Sequence, residues 1–153
     1  MRAKTTLWIV AGLAAVASLA GAACDLVGLG DDQVAALLVG VVGDEPDISL
    51  PSSVEVGEEF VVTVKSYGLS GCWRKGETRS SVDGLEASVR PFDHEPSGGQ
   101  ACTANIPEFI HEATLRFQEA GTARVTIQGR ALQNRAPVTF LREVTVTGVT
   151  AGG

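Results

Sequence analysis

The feature that most constrains this chain is an alternation of apolar and polar side chains that recurs in short stretches. From Glu59 to Tyr67, Phe60, Val62 and Val64 alternate with Glu59, Val61, Thr63 and Lys65. Successive side chains of a β-strand point to opposite faces, so this period marks a strand with one face buried. Leu85, Ala87 and Val89 share a face in Leu85 to Arg90, as do Ala113, Leu115 and Phe117 in Ala113 to Phe117. In Thr122 to Gln128, Ala123, Val125 and Ile127 oppose Arg124, Thr126 and Gln128. The short turn Gln118-Glu119-Ala120-Gly121 between these last two strands predicts an antiparallel hairpin. Val138 to Thr147 starts and ends in phase, and the charge of Arg142 predicts a bulge near Leu141 and Arg142. These strands predict one core built from Phe60, Val62, Val64, Leu85, Ala87, Val89, Leu115, Phe117, Val125 and Ile127.

Two other segments are less regular. Ile48 to Val56 contains Pro51, which cannot donate to a central ladder, so it reads as an edge strand that changes direction. Val34 to Val42 is nearly all apolar but too short to cross a membrane. It reads as a strand from Val39, Val41 and Val42, or as a helix capped by Asp31 or Asp32; the β-branched residues and glycines favour the strand. No long stretch has a helical apolar period. Short strands between Gly- and Pro-rich turns predict an all-β protein, an antiparallel β-sandwich of about seven strands over residues 34–149, with 150–153 as a tail.

The run from Leu50 to Val64, with its Val54-Glu55-Val56-Gly57-Glu58 turn, resembles the opening strands of immunoglobulin-like and fibronectin-like modules of bacterial surface lipoproteins. Ala113 to Ile127 is similar to their late hairpin. The resemblance spans about residues 46–148 and implies an immunoglobulin-like fold in an envelope setting. Trp73 directly follows Cys72 and the tyrosine-corner pattern is missing, so a disulfide here implies a loop staple instead of the inter-sheet bridge of antibody domains.

The start of the chain constrains its address. Arg2 and Lys4 precede an apolar stretch from Leu7 to Ala20, followed by Gly21, Ala22, Ala23 and Cys24. A positive start, an apolar middle and small residues before a cut form an export signal. A cysteine directly after the small residues resembles the lipobox of bacterial lipoproteins, which implies residues 1–23 as a signal peptide and Cys24 as the acylated first residue. Gly21 stands where that pattern usually has leucine. Two alternatives remain: ordinary cleavage after Ala20-Gly21-Ala22, and an uncleaved anchor over Leu7 to Ala23. If Cys24 is acylated, Cys72 and Cys102 remain as an even pair for an oxidising compartment. Their disulfide would contribute about 3.5 kcal/mol by the chain-entropy model. Two unpaired buried thiols are the alternative.

Charge narrows the partners. The net charge is −6, and it becomes more negative once Arg2 and Lys4 leave with the signal. Between Asp25 and Val64 there are nine acids and no base. Residues 24–33 therefore read as an acidic, membrane-proximal spacer, and the chain lacks the basic footprint that nucleic acid or anionic lipid requires.

Chemistry-bearing motifs are sparse. Asp93-His94-Glu95 and His111-Glu112 are the histidine-carboxylate clusters; a metal site would need them to converge. His111 has the parity of Ala113, Leu115 and Phe117, which predicts a partly buried histidine, whereas His94 reads as a loop residue between Pro91 and Pro96. No Gly-x-Ser-x-Gly elbow occurs. The loop Cys72 to Arg79 supplies the candidate recognition patch, Trp73, Arg74, Lys75 and Arg79, because Trp and Arg are enriched at binding hot spots. The alternative is a tryptophan packed over the disulfide with solvated cations around it. The expectation is a non-enzymatic lipoprotein without metal or cofactor, anchored in the bacterial envelope by Cys24 and facing periplasm or exterior. Its sandwich would serve as an interaction or structural module with an envelope protein or glycan as partner, or would bind a small ligand, glycan or secreted enzyme through the Trp73 loop.

Overall fold

The computed structural model describes residues 33–98 and 101–148, and their regular structure is entirely β. The strands are β1 (Gln33–Ala35), β2 (Leu37–Val39), β3 (Ile48–Ser49), β4 (Ser53–Glu55), β5 (Glu59–Tyr67), β6 (Arg74–Asp83), β7 (Glu86–His94), β8 (Glu108–Arg116), β9 (Gly121–Ala131) and β10 (Pro137–Thr147). The signal peptide, Cys24 and the acidic spacer up to Asp32 lie outside the described residues, as does the tail.

Pairing forms two arms of one mixed sheet. One arm is built from β6, β7, β9, β10 and β4; the other joins β8, β5 and β3. β1 and β2 connect them. β1 lies against the end of β7 and β2 against the end of β9, and Leu37 then pairs with Tyr67 of β5. Strands β3 and β4 are one interrupted segment that leaves β5 and joins β10 on either side of Pro51. Both pieces lie at sheet edges, as Pro51 predicts, and the segment changes partner there. Val34 to Val39 is strand, not helix, broken at Ala36; the expected strand stops at Val39, and Val41 and Val42 lie in an exposed turn.

The purely antiparallel expectation is corrected. β2–β9, β7–β9 and β4–β10 are parallel pairs. Alternation reports which face is buried, not which neighbour lies alongside, so direction was not readable from it. The same reason overturns the hairpin over Ala113 to Gln128. β8 pairs with β5 throughout its length, while β9 pairs with β10 and β7. The turn after Phe117 carries the chain from one arm to the other. The true hairpins join β6 to β7 and β9 to β10.

The predicted bulge in the last strand is also absent. β10 runs in unbroken register from Pro137 opposite Arg130 to Val146 opposite Gly121. Arg142 keeps an inward position between Phe140 and Val144, with its guanidinium reaching Glu45 at the surface. A long stem can lie along apolar surface while its head stays in water, so the charge needs no backbone defect. The irregularity lies in β6, between Lys75 and Thr78. There a Cβ on Gly76 would meet the Phe92 carbonyl oxygen at 2.5 Å, so only glycine allows the approach.

The core matches the parity argument. Val62, Val64, Val89, Phe117, Val125 and Ile127 have no exposed surface, and Phe60, Ala87 and Leu115 are buried beside them. Leu85 packs at the margin. The rings of Phe60, in β5 just after the Gly57 turn, and Phe117, just after β8, lie 5.7 Å apart. Gly57 adopts φ 83°, and its N–H donates to the Phe117 carbonyl at 2.8 Å. Burying such a ring contributes about 1.5–3 kcal/mol relative to leaving it in water.

Phe117→Ala should therefore destabilise the domain by about 3–5 kcal/mol in urea unfolding, through lost transfer energy and the cavity left behind. Thr126→Ala, on the outer face of β9, should change stability by less than about 0.5 kcal/mol. Equal effects would contradict the strand register.

Candidate functional site

The inner faces of the two arms meet at one end in a buried polar cluster. Four strands each contribute a side chain: Ser66 from β5, Thr78 from β6, Asp93 from β7 and His111 from β8. Ser66, Asp93 and His111 have no exposed surface. Ser66 Oγ donates to Asp93 Oδ2 at 2.8 Å. His111 Nε2 lies 3.0 Å from Asp93 Oδ1 and 3.0 Å from Ser66 Oγ. On the other side of the ring, Thr78 Oγ1 is 3.0 Å from Nδ1. One consistent proton arrangement has Nε2–H donating to the carboxylate and the Thr78 hydroxyl donating to Nδ1.

Across the ring, the Thr78 hydroxyl, the imidazole and the Asp93 carboxylate stand in line, as in a catalytic relay in type. The imidazole, the carboxylate and the Ser66 hydroxyl are sealed from solvent, and Thr78 is half-buried. The arrangement ties β6 and β7 to β5 and β8 with directional bonds. A buried polar group without a partner costs about 1–3 kcal/mol, so the arms are held where all four groups are satisfied.

The parity of His111 places it inward, and the structure buries it fully where partial burial is expected. Its carboxylate partner is Asp93, which the motif Asp93-His94-Glu95 groups with its chain neighbours. Alternation in fact sends them to opposite faces: Asp93 is buried, and His94 sits at the end of β7 opposite Gln33 and Arg74. That position also replaces the expected loop between Pro91 and Pro96. Among the described residues, no group of three or more His, Cys, Asp or Glu side chains converges as a metal cage. Inward parity shared by a polar residue on each of several strands is the signal that could have found the cluster.

The loop before β6 is built around a disulfide. Cys72 and Cys102 are bonded, with Cα atoms 5.4 Å apart. Their segments also exchange backbone bonds: Gly71 N–H donates to the Thr103 carbonyl at 3.0 Å, and Gly68 N–H to that of Pro107 at 2.9 Å. The pair is a loop staple.

The recognition patch expected there does not assemble. Trp73 is 3% exposed, folded against Gly68 so closely that a Cβ on Gly68 would lie 2.5 Å from its own Cβ. Its indole is core, not anchor. Arg74 turns back, and its Nη1 donates to the Gly71 and Trp73 carbonyls, each at 3.3 Å. Lys75 and Arg79 are exposed, but they belong to β6, not to a loop. Arg79 pairs with Glu77 and lies over the Phe92 ring, 4.6 Å from its centre. The strand was missed because most of its side chains are exposed on both faces, which erases the alternation.

Compared with known proteins, the chain matches no family model, no curated protein and no solved structure.

Asp93→Asn keeps the size of the side chain but replaces one of its two acceptor oxygens by an amide NH2, which then faces either His111 Nε2 or Ser66 Oγ. It should cost about 1–3 kcal/mol of unfolding free energy, the cost of leaving a buried polar group unpaired. A loss below about 1 kcal/mol would mean that the cluster does not tie the arms. Separately, Cys102→Ser should lower stability by about 2–5 kcal/mol under oxidising conditions and by nothing measurable relative to wild type once both are reduced.

Proposed function

We propose that this chain is an envelope-anchored lipoprotein whose folded part is a non-catalytic, immunoglobulin-like interaction or structural module. The observation that carries the proposal is cysteine usage. Cys72 and Cys102 are spent on a disulfide, and the one cysteine left, Cys24, stands directly after a basic start, an apolar stretch and three small residues. A disulfide suits an exported protein, and a leftover cysteine at the end of an export signal suits acylation. Cys24 would hold the protein to the membrane through lipid, with the module facing periplasm or exterior.

The immunoglobulin-like reading is supported by strand count and by the switch at Pro51. With β3 and β4 taken as one interrupted strand, seven strands follow from Ile48 onward, and strands that switch layers make the corners of sandwiches. The parallel pairing of β7 with β9 is a departure from the antiparallel sheets of that family. A module without catalysis is supported by the burial of the His111 imidazole and the Asp93 carboxylate. Its partner under this reading is an envelope protein or glycan, since an acidic chain disfavours nucleic acid.

Mass spectrometry of the membrane fraction should recover an N-terminal peptide beginning at Cys24 and carrying diacylglycerol. Cys24→Ser should release the protein from membranes or leave its precursor uncut. An unmodified N-terminus at Ala23 would overturn the anchor.

A further inference from the structure

The outer face of the first arm carries a hollow of about 490 Å³, within the range of small-molecule sites. Three arginines line it: Arg90 from β7, Arg130 from β9 and Arg135 from the turn between β9 and β10. Topology brings them together. Near their ends β7 and β9 part to admit β1, and the turn folds back with Arg135 at φ 57°, a left-handed conformation uncommon for a side-chain-bearing residue. Three cations around one hollow are unexpected in a chain of net charge −6.

One buried donor there lacks an acceptor among the described residues. Glu95 reaches Arg135 Nη2 at 2.7 Å. Arg90 Nε is taken by the Gln128 amide oxygen, and Arg130 Nε by the Ala35 carbonyl at 2.7 Å. Arg130 Nη2 is buried and has no hydrogen-bond partner among the described residues. Burial pushes the Arg130 guanidinium below its ordinary pKa, and the charge of Arg135 adds to this; Glu95 and Asp93 oppose it. A buried donor without an acceptor is costly, and one next to two more cations is a place where an added anion would be stabilised. Phe92, Pro137 and Val138 give the hollow an apolar wall, beside the polar side chains of Gln128 and Thr139.

We propose that this hollow binds a small organic carboxylate whose ring or hydrocarbon body rests on Phe92 and Pro137 while its oxygens take the free donors of Arg90, Arg130 and Arg135. The planar guanidinium fork matches a carboxylate in two bonds, and the apolar walls favour an acid with a body over a bare, strongly hydrated ion. The site borders Arg79 of β6, which lies over the Phe92 ring, and is independent of how the chain is anchored, so it goes beyond the envelope-module reading and does not rest on it.

Arginine side-chain NMR of the full chain in detergent micelles tests this, with benzoate and glucuronate as probes and inorganic phosphate as comparison. The Nε–H resonances of Arg90, Arg130 and Arg135 should shift saturably with at least one of the two carboxylates. Arg135→Gln should weaken that binding about tenfold, the worth of one charged hydrogen bond, while thermal unfolding stays unchanged. Arg90→Gln gives the same reading should Arg135→Gln fail to fold. Arg142→Gln, on the inward side of β10, should leave binding as in wild type. The proposal is overturned if no arginine resonance saturates, if phosphate shifts them as strongly as the carboxylates, or if Arg142→Gln weakens binding equally. It is overturned too if Arg130 alone stays silent, the result expected were its spare donor to pair instead with Gln33, whose Oε1 also lacks a partner.

Discussion

His111 sits where the two arms must agree on their positions. Apolar contact holds them together, but it is non-directional, and sliding one valine layer over another changes little. The imidazole is different. It is satisfied only with Asp93 and Ser66 on one side and Thr78 on the other, and these arrive on three separate strands. Any slip leaves buried polar groups unpaired in a low-dielectric interior, so the cluster converts a generic collapse into one arrangement.

That tie depends on details farther along the strands. Thr78 reaches His111 because the irregularity at Gly76 resets the phase of β6 against β7. Directly before it, the disulfide and the backbone bonds from Gly68 and Gly71 hold the entry to β6 against the segment around Thr103. Trp73 fills the space beneath. The stapled loop is therefore best understood as the support of β6 and, through Thr78, of the polar cluster. Exposed cations at its edge are a by-product of an outer strand that must stay soluble and unpaired with other chains.

The outer face of the same arm follows a different logic. Inside, every polar group of the cluster has a partner; outside, Arg90, Arg130 and Arg135 crowd one hollow, and the buried Arg130 Nη2 has no acceptor among the described residues. Folding stability does not account for that crowding, since like charges placed together oppose the compact state. A surface that keeps an unfavourable arrangement is where binding is expected, and the positive φ of Arg135 has the same character.

The sequence by itself determined which residues are inside. Strand parity identified Phe60, Val62, Val64, Val89, Phe117, Val125 and Ile127, because the two-residue period is a local property of the extended backbone. Cysteine count and the glycine-rich settings of Cys72 and Cys102 anticipated the staple, and Pro51 marked the strand that changes partners. Tertiary structure decided what those inward residues meet. It made Phe117 the start of a crossover instead of a hairpin, paired β7 with β9 in parallel, and kept Arg142 in phase without a bulge. It also sent Asp93 to His111 instead of to its neighbour His94, and buried Trp73. The physical reason is common to all of these: alternation and turn length constrain one strand at a time. Partner, direction and the meeting of polar groups depend on long-range packing, where many pairings satisfy the same local pattern and only one satisfies every buried donor and acceptor at once.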